Sequence, residues 1–145
     1  VYVEGAGEDL TVLSAAGAGQ HLIVGSDRSM IRKCLLNGAT SVGKAAVYYS
    51  SASPLTQSFF MVEQCRFGEN YYQIICEGAA SGTGCIVLTS DCKVGGTYPY
   101  VYGFVGREGL GGTGRVQMRN LTSTGGHATP RPSGFALAVP PVLLV

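Results

Sequence analysis

Glycines and other turn residues cut this sequence into pieces of roughly five to ten residues that are rich in Val, Ile, Tyr, Phe and Thr. Glycine accounts for 22 of the 145 residues, about twice its usual share of ~7%. Short β-prone pieces separated by turn signals are typical of an all-β domain, with helix below about a tenth of the residues. The candidate strands are 10–14, 21–25, 30–36, 45–50, 59–67, 71–77, 84–91, 98–105 and 115–121.

Alternation within these pieces favours a sheet with one wet face. In 115–121, Val116 and Met118 lie on one side, while Arg115, Gln117 and Arg119 lie on the other. We therefore predict an antiparallel β-sandwich or jelly-roll-like domain with extended terminal arms. Its predicted division is an N-terminal arm at 1–9, the β-sandwich domain at 10–122, and a Gly/Pro-rich linker with an apolar C-terminal arm at 123–145.

A weak internal repeat supports a second fold. The segments 30–34 (MIRKC), 61–65 (MVEQC) and 87–92 (VLTSDC) recur at intervals of about thirty residues, as successive rungs of a parallel β-helix would. The glycines and asparagines do not repeat in register with them, so the parallel β-helix is the alternative. Segments 26–37 and 53–67 also have helix-compatible spacing, but their β-branched and aromatic content favours strands.

Composition indicates a protein that associates with other chains. Charged residues make up 13% of the chain and the net charge is +1, against a usual charged share of about 25%. A surface so poor in charge tends to be covered by partners. The basic residues are dispersed, so no nucleic-acid footprint is expected. No apolar run reaches membrane-spanning length, and no export signal precedes the first strand.

No set of residues predicts catalysis. The glycine-rich segment 109–114 (GLGGTG) precedes a strand-like piece rather than a helix, so it predicts a hairpin loop and not a dinucleotide site. His21 and His127 lie far apart in sequence, and no serine has a nucleophile motif around it. We therefore expect no enzymatic activity, cofactor or metal site.

Five cysteines allow three interpretations: buried thiols, disulfides that include inter-chain bonds, or reactive thiols. No Cys-x-x-Cys pair is present, which disfavours a zinc ribbon or a thioredoxin-type centre. Cys76 and Cys85 are predicted to lie on neighbouring strands of one hairpin, within reach of a disulfide. Cys34, Cys65 and Cys92 would then be free or inter-chain thiols.

Two apolar segments are candidates for contacts with other chains. Tyr98, Tyr100, Tyr102 and Phe104 would share one strand face, which predicts core or subunit packing in preference to a ligand platform. The tail is too apolar to remain in water, and its prolines exclude a regular helix. We expect it to act as an assembly arm formed by Phe135, Leu137, Val139, Pro140, Pro141, Val142, Leu143, Leu144 and Val145.

The order of these pieces resembles that of small β-sandwich virion proteins of tailed bacteriophages. The segments that carry the resemblance are 10–24, a strand ending near Asn37, 45–49, 69–78, 84–90 and 98–105. It is a likeness of strand order and glycine placement over about Leu10 to Glu108, and the cysteines and the extension after Gly109 depart from it.

The resemblance implies a non-catalytic virion structural protein. Its most direct form is a capsid decoration or cement protein that stabilises a phage particle through inter-subunit contacts. The resemblance also allows a tail or neck accessory protein. A carbohydrate- or surface-binding β-module is a separate alternative, which the aromatic stripe of Tyr98, Tyr100 and Tyr102 supports because aromatic faces pack on sugar rings. The implied partners are other copies of the chain, as a homo-oligomer, and a major capsid or tail protein, with no nucleic acid or membrane. The implied location is the virion, assembled in the host cytoplasm.

Overall fold

Fourteen strands and no helix are present in the part of the chain that the computed structural model describes, which is residues 1–17, 19–51, 58–79, 83–95, 104–109 and 112–123. The all-β prediction is confirmed for these residues. In chain order the strands are β1 (Tyr2–Glu4), β2 (Val12–Ser14), β3 (Ile23–Val24), β4 (Ser29–Arg32), β5 (Leu35–Asn37), β6 (Ala45–Ser51), β7 (Phe59–Glu63), β8 (Arg66–Phe67), β9 (Tyr72–Gly78), β10 (Gly84–Ser90), β11 (Lys93–Val94), β12 (Phe104–Gly109), β13 (Gly112–Arg119) and β14 (Thr122–Ser123).

The strands repeat in threes along a parallel β-solenoid. Strands β1, β4, β7, β10 and β13 form the first stack, β2, β5, β8, β11 and β14 the second, and β3, β6, β9 and β12 the third. Neighbours within each stack run parallel. The chain therefore visits the three faces in turn and moves up one strand spacing with each coil.

The predicted antiparallel sandwich is wrong, and the alternative, a parallel β-helix, is correct. Period-two alternation marks a strand with one buried face, and such strands occur in a solenoid as well as in a sandwich. The segments that suggested hairpins in the phage resemblance are consecutive sides of coils. Strand β9 pairs with β6 and β12, and β10 pairs with β7 and β13.

The sequence repeat reflects the coils directly. Met30 lies beside Met61, and Met61 lies beside Leu88. Four residues after each comes a cysteine at the corner between the first and second stacks. The residue before each of these cysteines has a left-handed backbone, with φ of 54° at Lys33, 50° at Gln64 and 52° at Asp91. In the next coil Asn120, which precedes Leu121, has a φ of 53°.

Side chains that alternate inward fill the solenoid. Leu36 and Phe67 are neighbours in the second stack, Ile74 and Phe104 are neighbours in the third, and all four are fully buried. The rings of Phe67 and Phe104 meet edge to face across the interior, with centroids 5.5 Å apart. Phe104 thus packs in the core.

One hairpin interrupts the parallel pattern. Strands β12 and β13 pair antiparallel through Glu108 with Thr113 and Gly109 with Gly112, which confirms the hairpin predicted for the glycine-rich segment. In β13, Gly114 lies so close to the Cys76 carbonyl that a Cβ atom there would overlap it. A glycine is needed at this position for β13 to approach β9.

The N-terminal residues belong to the solenoid. Strand β1 pairs with β4 through Tyr2, Val3 and Glu4, so this part of 1–9 lies in the first stack rather than in a separate arm. The predicted C-terminal arm and the residues Tyr98, Tyr100 and Tyr102 lie outside the described residues.

Candidate functional site

The first coil, β1 to β3, lies at one end of the described solenoid, and we call this the open end. In the described part of the chain, each of its strands pairs on one side only: β1 with β4, β2 with β5 and β3 with β6. A strand edge of this kind presents backbone N–H and C=O groups that can accept another strand. Three such edges lie side by side at this end.

Exposed apolar side chains concentrate at the same end. Seven large hydrophobic residues are exposed in the described part, and all come from the first 42 positions: Val1, Tyr2, Val3, Leu10, Val12, Val24 and Val42. All but Val42 belong to the first coil or to the connection within it. An exposed apolar patch at a strand edge is typical of an interaction surface.

A cavity of about 180 Å³ opens between the first coil and the coils above it. Its walls are apolar apart from two serines, and the lining residues are Val1, Val3, Leu13, Ile23, Val24, Ser26, Ser29, Met30, Ile31 and Phe60. The inward side chains of the first coil line this space because no further coil covers them in the described chain. The open end therefore combines unpaired backbone, exposed apolar side chains and a hydrophobic recess.

A hydrogen-bonded corner adjoins the recess, because Asp27 and Phe59 are next in sequence to the lining residues Ser26 and Phe60. Asp27 accepts hydrogen bonds from the Phe59 amide at 3.1 Å and from the Tyr49 hydroxyl at 3.3 Å. Burial opposes ionisation of Asp27, but these hydrogen bonds outweigh it and hold its pKa below the usual value. Burial raises the pKa of Tyr49 to about 12, while its hydroxyl makes a short hydrogen bond with Ser58. At neutral pH Asp27 is therefore charged and Tyr49 is neutral. In these states the Tyr49 hydroxyl can donate to the Asp27 carboxylate and hold the corner in one conformation.

Ion pairs connect the first coil to distant strands. Within the 5–11 connection, Glu8 pairs with Lys93 of β11, and Asp9 pairs with Arg66 of β8 at 3.4 Å. Next to this connection, Glu4 pairs with Lys33 at 2.7 Å. The connection thus lies along the second stack and is held there by charge.

All five cysteines are buried free thiols, and they form two groups. Cys34, Cys65 and Cys92 occupy equivalent corners of successive coils, and we call them the cysteine ladder. The Cys34 carbonyl accepts from Arg66 N, and the Cys65 carbonyl accepts from Lys93 N. Burial raises the pKa of all three thiols, of Cys65 to about 12 and of Cys92 to about 11.

The second group is a pair inside the solenoid. The sulfur atoms of Cys76 and Cys85 lie 3.4 Å apart. Burial raises the pKa of Cys76, and the contact with the Cys76 thiol lowers the pKa of Cys85. The prediction that the two residues lie near each other is met, but the predicted hairpin is wrong because β9 and β10 belong to different stacks.

An aromatic and acidic cluster lies on the third stack. The rings of His21 and Tyr48 are stacked with centroids 4.4 Å apart, and the Tyr48 hydroxyl donates to Glu77 Oε1 at 2.6 Å. The Ala45 amide donates to His21 Nδ1 at 3.0 Å and so fixes the ring. Sequence reasoning missed this cluster, because His21, Tyr48 and Glu77 are far apart in sequence and come together only through the stacking of coils.

Other classes of site are not seen in the described residues. No helix among them could span a bilayer, and they contain no group of three or more His, Cys, Asp or Glu side chains placed to hold a metal ion. No family model matches the chain, and no curated protein or solved structure matches it either.

Proposed function

We propose that this chain is a structural protein that assembles with other copies of itself through the open first coil. The observation that carries the proposal is made on the described residues. At one end of their solenoid, three strands pair with a described strand on one side only, and six of the seven exposed large hydrophobic side chains lie there too. Coils of a solenoid bury their apolar faces by stacking on neighbours, and an end coil needs a cap or a partner.

A second copy is the partner that fits this end best. Under a two-fold axis, the edge of β1 meets the same edge of its partner running antiparallel, and backbone hydrogen bonds can form without any matching of side chains. The two apolar recesses then face one another. Each large apolar side chain is worth roughly 1.5–3 kcal/mol when fully buried, so a few of them drive association.

The setting we propose is a tailed-phage virion, where the chain acts as a capsid decoration or cement protein, or else as a tail or neck accessory protein. The low charge of the chain supports a covered surface. The virion setting rests on the sequence resemblance alone, because the solenoid replaces the sandwich that the resemblance implied. A solenoid that joins end to end with another copy would reinforce such a particle mechanically, and this role needs no catalytic activity.

The test is the oligomeric state of two matched variants. Val24 in β3 is 69% exposed at the open end, and Val42 is 80% exposed in the connection between β5 and β6. We expect the full chain to be dimeric by light scattering at micromolar concentration. Val24→Lys should weaken the dimer at least about tenfold, because a charge is buried without a partner.

The control variant Val42→Lys should leave the dimer unchanged. A wild-type chain that is monomeric at high concentration would contradict the proposal. So would equal effects of the two lysines, because they would show that hydrophobic exposure in general, rather than the open end, drives association.

A carbohydrate-binding role is the second candidate, and the cluster of His21, Tyr48 and Glu77 supports it. Aromatic faces pack against sugar rings, and a carboxylate accepts hydrogen bonds from sugar hydroxyls. Titration against a glycan panel tests it. Binding that Tyr48→Ala abolishes and Tyr2→Ala preserves would favour this role, and the absence of any binding would exclude it.

A further inference from the structure

Cys76 and Cys85 approach each other from two different faces of the solenoid. Cys76 lies in β9 of the third stack and Cys85 in β10 of the first. Both side chains are buried, at 0% and 1% exposure, and their sulfur atoms are 3.4 Å apart. In each case the side chain points away from its own stack into the shared interior.

We propose that Cys76 and Cys85 form an intramolecular disulfide when the chain folds in an oxidising environment, and that this bond fastens the third stack to the first. The sulfurs would have to close from 3.4 Å to a bond length of about 2.05 Å. That is a side-chain adjustment, because the two thiols already face each other. The inference is independent of the proposed assembly through the first coil.

The oxidant in this proposal is a small disulfide such as oxidised glutathione. The Cys85 thiolate attacks one sulfur of that disulfide, forms a mixed disulfide and releases one glutathione thiolate. The Cys76 thiolate then attacks the Cys85 sulfur and releases the second glutathione thiolate. Two protons leave the cysteines, and two electrons pass from them to the glutathione disulfide, which becomes two thiols.

The native fold restricts when the bond can form. Because both thiols are buried, a glutathione molecule cannot reach them in the folded chain. Exchange must therefore occur during folding or when the coil opens. Oxidation of the folded protein is expected to be slow, and oxidation during refolding fast.

The cysteine ladder provides an internal control. Cys34, Cys65 and Cys92 occupy equivalent corners of successive coils, and the strands of successive coils are about 4.7–4.9 Å apart. Parallel side chains stacked in register keep roughly this separation, whereas a disulfide needs Cβ atoms about 3.5–4.5 Å apart. The pair across the interior is not held to this spacing. We therefore expect one bond in the oxidised chain, with the ladder reduced.

The test is refolding of the full chain in a glutathione redox buffer and, separately, in dithiothreitol. After alkylation under denaturing conditions, the oxidised sample should carry three alkylated cysteines, and peptide mapping should join the peptides that contain Cys76 and Cys85. The unfolding equilibrium constant should fall by about thirtyfold or more relative to the reduced chain, since a disulfide typically stabilises by that much.

Matched variants separate the pair from the ladder. Cys34→Ala should retain the bond and the stabilisation, and Cys76→Ala should abolish both. Cys85→Ala is the second variant, which keeps the test decisive if one alanine prevents folding. Five alkylated cysteines in a folded, oxidised sample, or a bond that involves the ladder, would overturn the proposal. A crosslinked chain that unfolds more readily than the reduced one would overturn the fastening role.

Discussion

The first coil and the coils above it use the same inward positions but bury them to different degrees. Val3 and Ile31 are neighbours in the first stack, yet Val3 is 44% exposed and Ile31 only 3%. Leu13 and Leu36 are neighbours in the second stack, and only Leu36 is fully buried. Residue type therefore does not account for the difference.

What differs is the number of coils in contact. Among the described strands, Leu36 has a neighbour on each side, β2 and β8, whereas Leu13 has one neighbour, β5. A solenoid coil completes its own core only when neighbours cover both of its sides. The first coil consequently keeps apolar positions that stabilise the protein fully only when something else is stacked on them.

The largest expected effect is alkaline destabilisation that originates in the covered coils. Burial raises the pKa of Cys65 to about 12, of Cys92 to about 11 and of Tyr49 to about 12, from 9.0 for the thiols and 10.0 for the tyrosine. Between pH 9 and 12 the unfolded chain loses these protons first, so the native state binds more protons and stability falls as pH rises. We expect a loss on the order of several kcal/mol by pH 11, measured by urea unfolding.

A cysteine variant tests the origin of this loss. Cys65→Ala should be less stable at neutral pH but should lose less stability per pH unit above pH 9. An unfolding free energy that stays level from pH 8 to 11 would show that these groups are not shielded from water, and the contrast between covered and open coils would fail.

The next effect compares one substitution in the two settings. Leu36→Ala should cost about 2–5 kcal/mol, because it leaves a cavity among buried side chains. Leu13→Ala should cost less than about half as much in the monomer, since Leu13 is only partly buried. Chemical denaturation at low protein concentration measures both.

Protein concentration sharpens this comparison. If copies stack through the first coil, the cost of Leu13→Ala should rise with concentration, while that of Leu36→Ala should not. Equal costs at low concentration would mean that Leu13 is already well covered in the monomer.

Most of the described strands could be predicted from sequence, although β1 was predicted as part of an arm. The way in which the strands pair could not be predicted. Alternation of Val116 and Met118 with Arg115, Gln117 and Arg119 describes a strand of either a sandwich or a solenoid. The repeat of Met30 and Cys34 in Met61 and Cys65 was the distinguishing signal. The repeat was hard to recognise because two of the left-handed corners are occupied by Lys33 and Gln64, where Gly, Asn or Asp is expected.

The open end was harder to predict than the fold, because it is defined by how the coils stack on one another and not by any local sequence pattern. Low charge indicated assembly, but the apolar segment expected to carry it was the tail at 134–145, outside the described residues. The exposed first coil includes residues 1–9, which were predicted as an arm. Cys76 and Cys85 were predicted to be neighbours across a hairpin, and they are neighbours across the interior instead.

The smallest expected effect concerns the ion pairs of the first coil. They help to fix this coil, whose apolar core is incomplete. Glu8 in the 5–11 connection pairs with Lys93 of β11, and partly exposed pairs of this kind contribute about 0.2–1 kcal/mol. Glu8→Gln should therefore cost no more than about 1 kcal/mol, and a double-mutant cycle with Lys93→Gln isolates the pair. In about 1 M salt, where the Debye length is about 3 Å, the coupling between Glu8 and Lys93 should shrink toward zero.

Asp9→Asn, which alters the more exposed pair with Arg66 at 3.4 Å, should cost less stability than Glu8→Gln. A coupling that exceeds about 2 kcal/mol and persists in salt would show that Glu8 anchors the first coil by more than charge, and the open coil would then be fastened as firmly as the covered ones.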